Sequence, residues 1–216
     1  MLNGLRWKIA QSFEKRWWRN YLKNKEVSDY LAWKKNYWHN FLTSISPYIT
    51  LLPNHQVLDA GCGPAGIFML FPNQPCTAID PLLSSYETLP HFSKKNYPNT
   101  NFIAAALEDF SSENSFHISF CINAINHVSN LQKSFQQLTN ATKPNGHLVI
   151  SIDAHNHNWL KRIFQLLPGD ILHPHQYNID EYVAMIISTG CTHTKTITVK
   201  KDFIFSYYIV IAQKKE

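Results

Sequence analysis

The sequence contains no run of about 18 apolar residues of the kind that crosses a membrane. Its first residues, Met-Leu-Asn-Gly-Leu-Arg, lack the apolar block of a secretory leader. The four cysteines (Cys62, Cys76, Cys121, Cys191) form no Cys-x-x-Cys pair, so nothing in their spacing suggests zinc. Scattered thiols without an export signal predict a reducing, cytoplasmic setting. Internal repeats and low-complexity tracts are also missing. What remains is 216 residues, 44% hydrophobic and only 16% charged. That is the make-up of one large globular domain with a sizeable core.

The net charge of +5 is unevenly spread. Residues 1–40 carry nine Lys or Arg against Glu14, Glu26 and Asp29, a local charge of +6, which leaves −1 for the rest. Five of the six tryptophans also fall within the first 38 residues. We therefore expect a basic, aromatic helical extension over residues 1–50 and a separate body over 51–216. Leu5, Ile9, Phe13, Trp17 and Tyr21 recur about every four residues and predict a helix over 5–22. A second helix is expected over 27–45, with Tyr30, Trp33, Tyr37 and Phe41 on one face. Such a pair of helices can form a lid over an apolar substrate. Their basic aromatic face also suits peripheral contact with an anionic membrane. Nucleic acid fits less well, because the body of the chain is slightly acidic.

From residue 56 short apolar strands alternate with helical stretches. Strands are expected at 57–58, 77–80, 101–105, 117–123, 147–153, 193–200 and 203–212, and helices at 64–71, 82–90, 130–141 and 179–189. Lys143-Pro-Asn-Gly146 reads as a turn. Asn178-Ile-Asp-Glu181 reads as a capping box. The order predicts an α/β fold, a doubly wound, mostly parallel seven-stranded sheet (Rossmann-like) closed by a C-terminal antiparallel strand pair.

The chemistry concentrates in Asp59-Ala-Gly61-Cys62-Gly63-Pro-Ala-Gly66, between the first strand and its helix. Glycines there allow a tight turn and close approach of backbone to a ligand. Asp80 closes the next strand, 21 residues after Asp59, where a carboxylate can accept from both hydroxyls of an adenosine ribose. This spacing also matches a dinucleotide fingerprint, so a nicotinamide-dependent oxidoreductase stands as an alternative.

Val57-Leu-Asp-Ala-Gly-Cys-Gly-Pro-Ala-Gly66 and Ala78-Ile-Asp-Pro-Leu82 resemble the first motifs of class I S-adenosylmethionine-dependent methyltransferases. Asn123-Ala-Ile-Asn-His-Val128 and Lys143-Pro-Asn-Gly-His-Leu-Val149 carry the resemblance further, over about 160 residues from near 55 to the end. It is strongest toward small-molecule enzymes of the quinone-biosynthesis type. The resemblance implies S-adenosylmethionine as cofactor, held by Asp59, Gly61, Cys62, Gly63, Asp80, Pro81, Leu107 and Asn123. It implies methyl transfer to an O, N or C atom of a small organic acceptor. Two departures stand out: Ala105-Ala106 where an acid usually meets the adenine, which leaves Leu107 or Glu108 for that contact, and His117 where Phe-Asp is usual. They keep a non-catalytic S-adenosylmethionine-binding module among the alternatives.

Ligands of such sheets bind beyond the carboxyl ends of the strands. His127, His155 and His173, followed by His175, are the candidate bases for an acceptor that must lose a proton. Histidines 155, 157, 173 and 175 do not have diagnostic metal-ligand spacing, and no metal is expected.

Overall fold

The computed structural model describes residues 2–157, 175 and 177–216. Its centre is a seven-stranded sheet: β1 (Val57–Ala60), β2 (Cys76–Ile79), β3 (Thr100–Ile103), β4 (Phe116–Cys121), β5 (Thr142–His155), β6 (Cys191–Lys201) and β7 (Phe205–Lys214). Their order is β3-β2-β1-β4-β5-β7-β6. The first five strands are parallel to one another, while β7 is antiparallel to both β5 and β6. The order reverses between β1 and β4. A crevice opens there at the strands' carboxyl ends, which is where sheets of this type take ligands. The doubly wound sheet and the closing antiparallel pair are as the sequence pattern predicts.

Both faces of the sheet are covered, so its central strands are mostly apolar, and β1 is buried at every position. Successive residues feed opposite layers. Val57, Ile118, Phe120 and Val149 enter one core cluster. Leu58, Ala60, Cys121, Leu148 and Ile150 enter the other. The second layer is built by α4 (Leu131–Ala141) and α5 (Ile179–Ser188) through Phe135, Leu138, Tyr182 and Ile186. The expected capping box is present: Asn178 Oδ1 accepts from the Glu181 N–H and Glu181 Oε2 from the Asn178 N–H.

The first layer differs from expectation. In place of a helix over 64–71 there is a single 3₁₀ turn, Ile67–Leu70, preceded by Gly66 in an extended conformation. Pro72 follows one residue beyond it and cannot continue a helix. The helix expected at 82–90 shrinks to α3 (Leu83–Tyr86), with Pro90 downstream. The face left open is filled from the other end of the chain. α2 (Val27–Ile45), with bounds matching the sequence reading, buries Tyr30, Trp38, Phe41 and Ile45, and the Phe41 ring lies 6.4 Å from Phe120 of β4. Trp33, read as sharing a helical face with Tyr30 and Phe41, is 52% exposed while those two are buried.

α1 (Leu2–Leu22) packs on the body through its later turns. Leu22 is buried and Trp18 and Tyr21 pack against the core, but Phe13 and Trp17 are each 53% exposed. The turn expected at 143–146 is a bulge inside β5. The pairing jumps from Phe116↔Thr142 to Ile118↔His147, and Asn145 takes φ 60°. Among the described residues no helix is long and apolar enough to cross a membrane.

Candidate functional site

The glycine turn leaves β1 at the switch point. Gly61 and Gly63 adopt φ +71° and +59°, a region costly for other residues. A Cβ on Gly61 would fall 2.2 Å from Ala124 Cβ, and one on Gly66 would fall 2.4 Å from Asp59 Oδ2. Gly61 is therefore required for space as well as for conformation, and Gly66 for space alone.

Asp59 and Asp80 are both buried beneath this turn. Asp59 Oδ2 accepts from the Phe68 N–H at 3.0 Å and so fixes the 3₁₀ turn. Asp80 Oδ2 accepts from the Gly63 N–H at 3.0 Å and Oδ1 from the Leu82 N–H at 2.8 Å. A carboxylate has about four lone-pair positions, so Asp80 keeps capacity for two more donors. Burial pushes Asp59 up to about 7, an effect opposed by the Phe68 bond and reinforced by the charge of Asp80. Burial likewise raises Asp80 to about 6.

A pocket opens over the turn. Of the residues expected to hold the cofactor, Asp59, Gly61, Cys62, Gly63, Asp80, Pro81, Leu107 and Asn123 all line it. Asn123 stands in the left-handed region at φ 56°, and its Oδ1 accepts from the Tyr207 hydroxyl at 2.7 Å. Glu108 lines the pocket too, but its Oε1 accepts from Ser129 and from the Asn130 N–H and so pins the start of α4.

The candidate bases separate. His127 lies at the mouth of this pocket and also lines the adjoining cavity. Its loop is anchored by buried Asn126, whose amide bridges the Asp153 backbone and the Tyr182 hydroxyl. His155 is buried against Phe205, with ring centroids 4.3 Å apart, and lines a different cleft with His157 and Asp202. His175 holds the Val128 carbonyl at 2.7 Å through Nε2. His173 lies outside the described residues. Among the described residues no group of three or more His, Cys, Asp or Glu is arranged to hold a metal ion.

The sequence predicts a lid from the two N-terminal helices but singles out none of their residues that line this pocket. Glu14 and Trp18 of α1 and Lys34 and Trp38 of α2 line it. Trp38 Nε1 donates to the Ala65 carbonyl at 3.0 Å and ties α2 to the glycine turn. Burial, then the charge of Asp80, pushes Glu14 up to about 7. Burial pulls Lys34 down to about 8, against the opposing charge of Asp59. The available cue was a lone acid in a basic helix and a lysine inside an aromatic face, each one helical turn from a tryptophan.

The adjoining cavity, of about 470 Å³, is walled by Phe13, Trp17, Trp18, Tyr21 and Tyr30, with Glu14, Lys34, Asn123 and His127 as its polar groups.

Residues 57–146 match the family described as methyltransferase domain. The ubiquinone biosynthesis O-methyltransferase of Rickettsia akari is 36% identical over 98 residues, covering 44% of this chain and 39% of that protein. The chain thus spans about two fifths of the length of that curated relative. Among solved structures, a Burkholderia thailandensis 1,6-didemethyltoxoflavin-N1-methyltransferase with bound S-adenosylhomocysteine shares the fold at TM-score 0.61. The two are 14% identical, over 98% of this chain and 88% of that one. A 4+2 cyclase shares it at TM-score 0.64 and 11% identity, over 82% and 80% of the two chains. The glycine turn, the two buried aspartates and the strand order agree with the matched family, and residues 57–146 are similar to a methyltransferase domain.

Proposed function

We propose that the protein transfers a methyl group from S-adenosylmethionine to a small organic acceptor, an aromatic hydroxyl before other O, N or C acceptors. One observation carries this reading: buried Asp80 holds the glycine turn through the Gly63 N–H and itself lines the pocket over that turn.

The residues present fit the donor. Asp80 would accept from the ribose hydroxyls, with Pro81 and Leu107 beside the adenine. Among the described residues Lys34 is the one lysine or arginine lining the pocket, and it suits the carboxylate of the methionine end. Glu14 and Asp59 offer negative charge to its ammonium and sulfonium. When bound, the donor supplies an electrophilic methyl group on sulfur, and the protein's part is positioning and proton removal. His127 borders both cavities and is the residue placed to take the proton of an acceptor hydroxyl. The aromatic walls exclude water and suit a flat apolar acceptor. The name of the Rickettsia relative supports a quinone-like ring.

Exposed Ile9, Phe13 and Trp17, with Lys15, Arg16 and Arg19 beside them, support docking on an anionic membrane that holds such an acceptor. Four free, buried thiols support a reducing compartment such as the cytoplasm.

Calorimetry with S-adenosylhomocysteine tests the cofactor site: Asp80→Ala should lose binding while keeping its fold by circular dichroism. Wild-type affinity in that variant would reject the assignment. Protection from melting by a nicotinamide dinucleotide and not by S-adenosylhomocysteine would instead favour the oxidoreductase. Folds of this kind serve more than one chemistry, as the cyclase neighbour illustrates, and one further reading is a module that binds the cofactor without methyl transfer. Tight cofactor binding with no transfer to a broad panel of hydroxylated aromatics would favour it.

A further inference from the structure

At the opposite end of the sheet, beside the amino ends of β1, β4 and β5, the rings of His55 and His117 stack 4.5 Å apart and 1° from parallel. Each Nδ1 accepts from the backbone. The Leu52 N–H reaches His55 Nδ1 at 3.4 Å, and the Gln56 N–H reaches His117 Nδ1 at 2.9 Å. A neutral imidazole has one acceptor nitrogen, so the hydrogen of each ring sits on Nε2 and makes it a donor. Lys143 Nζ lies 3.3 Å from His117 Nε2. An ammonium also has no acceptor. Two donors therefore meet, and a shared acceptor is what their geometry lacks.

The backbone holds them in this arrangement. Lys143 begins the bulge in β5, and that bulge is folded tightly onto His117. A Cβ on Gly146 would fall 2.8 Å from the Lys143 carbonyl and 2.9 Å from that of His117. His147, one residue beyond, has a buried Nδ1 with no hydrogen-bond partner. Burial, then the charge of Lys143, lowers both His55 and His117 below the usual histidine range. Burial, then His55, lowers His147. Lys143 and the three imidazoles are the titratable groups acting on one another, and none of them is a carboxylate. An aspartate at 117 would have neutralised Lys143. His117 does not.

We infer that His55, His117 and Lys143 form a binding site for a small oxyanion, a phosphate, sulfate or carboxylate group accepting from both Nε2 atoms and from Nζ. The site is remote from the glycine turn and does not depend on methyl transfer, so its test uses no activity. Sulfate suits the titration because it keeps its charge as the histidines gain theirs.

Nuclear magnetic resonance of the histidine Cε1–H groups should show saturable, sulfate-dependent shifts of His55 and His117, with chloride at matched ionic strength as the reference. Sulfate should also raise the titration midpoints of both rings. Lys143→Gln, which changes only a half-exposed side chain, should weaken the response by roughly tenfold, in keeping with the loss of a charge-assisted bond. A parallel titration with acetate separates the sources: saturation by acetate as well as sulfate assigns carboxylates too, and saturation by sulfate alone assigns a tetrahedral anion. Shifts that are linear and equalled by chloride, or identical in Lys143→Gln, would mean an adventitious ion only and would overturn the inference.

Discussion

Trp18 covers Gly63: a Cβ built on the glycine would come to 3.4 Å from the indole. The first helix therefore lies directly on the turn that the motif defines, although 45 residues of sequence separate them. Gly63 has ordinary space above it but a left-handed backbone, so Gly63→Ala should cost about 1–2 kcal/mol from conformation alone. Gly61 has the same handedness and also a contact of 2.2 Å with Ala124. Gly61→Ala should cost about 1–3 kcal/mol more. Denaturant unfolding of Gly61→Ala and of Gly61→Ala with Ala124→Gly would read the difference. A double variant no more stable than the single would count against crowding as the cause.

Asp59 predicts an unusual pH dependence. Its carboxyl rises from 3.8 to about 7 on folding, chiefly through burial. A carboxyl that binds its proton more tightly in the folded chain stabilises the fold less and less as pH climbs from about 4 to about 7. Asp59→Asn removes that penalty while its amide oxygen can still accept from Phe68. Without cofactor, the variant should melt above the wild type near pH 7.5 by an amount on the order of a few kcal/mol, and the gap should close toward about pH 4.5. A gap that stays constant across this range would assign it to some other group.

His127 predicts a split between binding and turnover. His127→Gln should keep S-adenosylhomocysteine affinity within a few-fold of wild type, because Asp80 and the glycine turn are untouched. Transfer to a hydroxylated aromatic should fall by about 10²–10⁴-fold, the usual share of a general base. Equal loss of both properties would make His127 a structural residue of the loop.

The bond from Trp38 to the Ala65 carbonyl predicts that Trp38→Phe retains most of the packing yet leaves a buried acceptor unpaired. The expected cost is about 1–3 kcal/mol in urea unfolding, with weaker cofactor binding as the turn loosens. An unchanged transition would show that solvent satisfies the carbonyl.

Phe13 and Trp17 predict the reverse pattern. Both are half exposed, so Phe13→Ser with Trp17→Ser should leave stability within about 1 kcal/mol. Sedimentation with anionic phosphatidylglycerol vesicles should nonetheless lose the bound fraction. Retention of vesicle binding by the double variant would remove α1 from the proposed docking surface.

Much of this architecture was legible because it is written locally. The apolar, β-branched runs at 147–153 and 203–212, the capping box at Asn178 and Glu181, and the spacing of Gly61, Gly63 and Asp80 each depend on neighbours in sequence. The errors fall where a distant segment decides the outcome. Ile67 to Phe71 are apolar enough for a helix, yet Gly66 and Pro72 confine them to one 3₁₀ turn, and α2 takes the vacant layer. The stripe through Phe13 and Trp17 marked a helix but not its partner surface, and both side chains are half exposed. Lys34 and Glu14 entered the pocket unannounced, since a charged residue in an aromatic helix looks solvated until its partner surface is known.

The tie from Trp38 to Ala65 also bears on where the chain can be divided. A cut near residue 50, where composition and charge change, would run through a packed layer and strip Phe41 and Ile45 from the sheet. The shortest fragment able to fold should therefore begin before Val27. Within it, the segment that matches the methyltransferase family would be supported by a helix that lies outside that match.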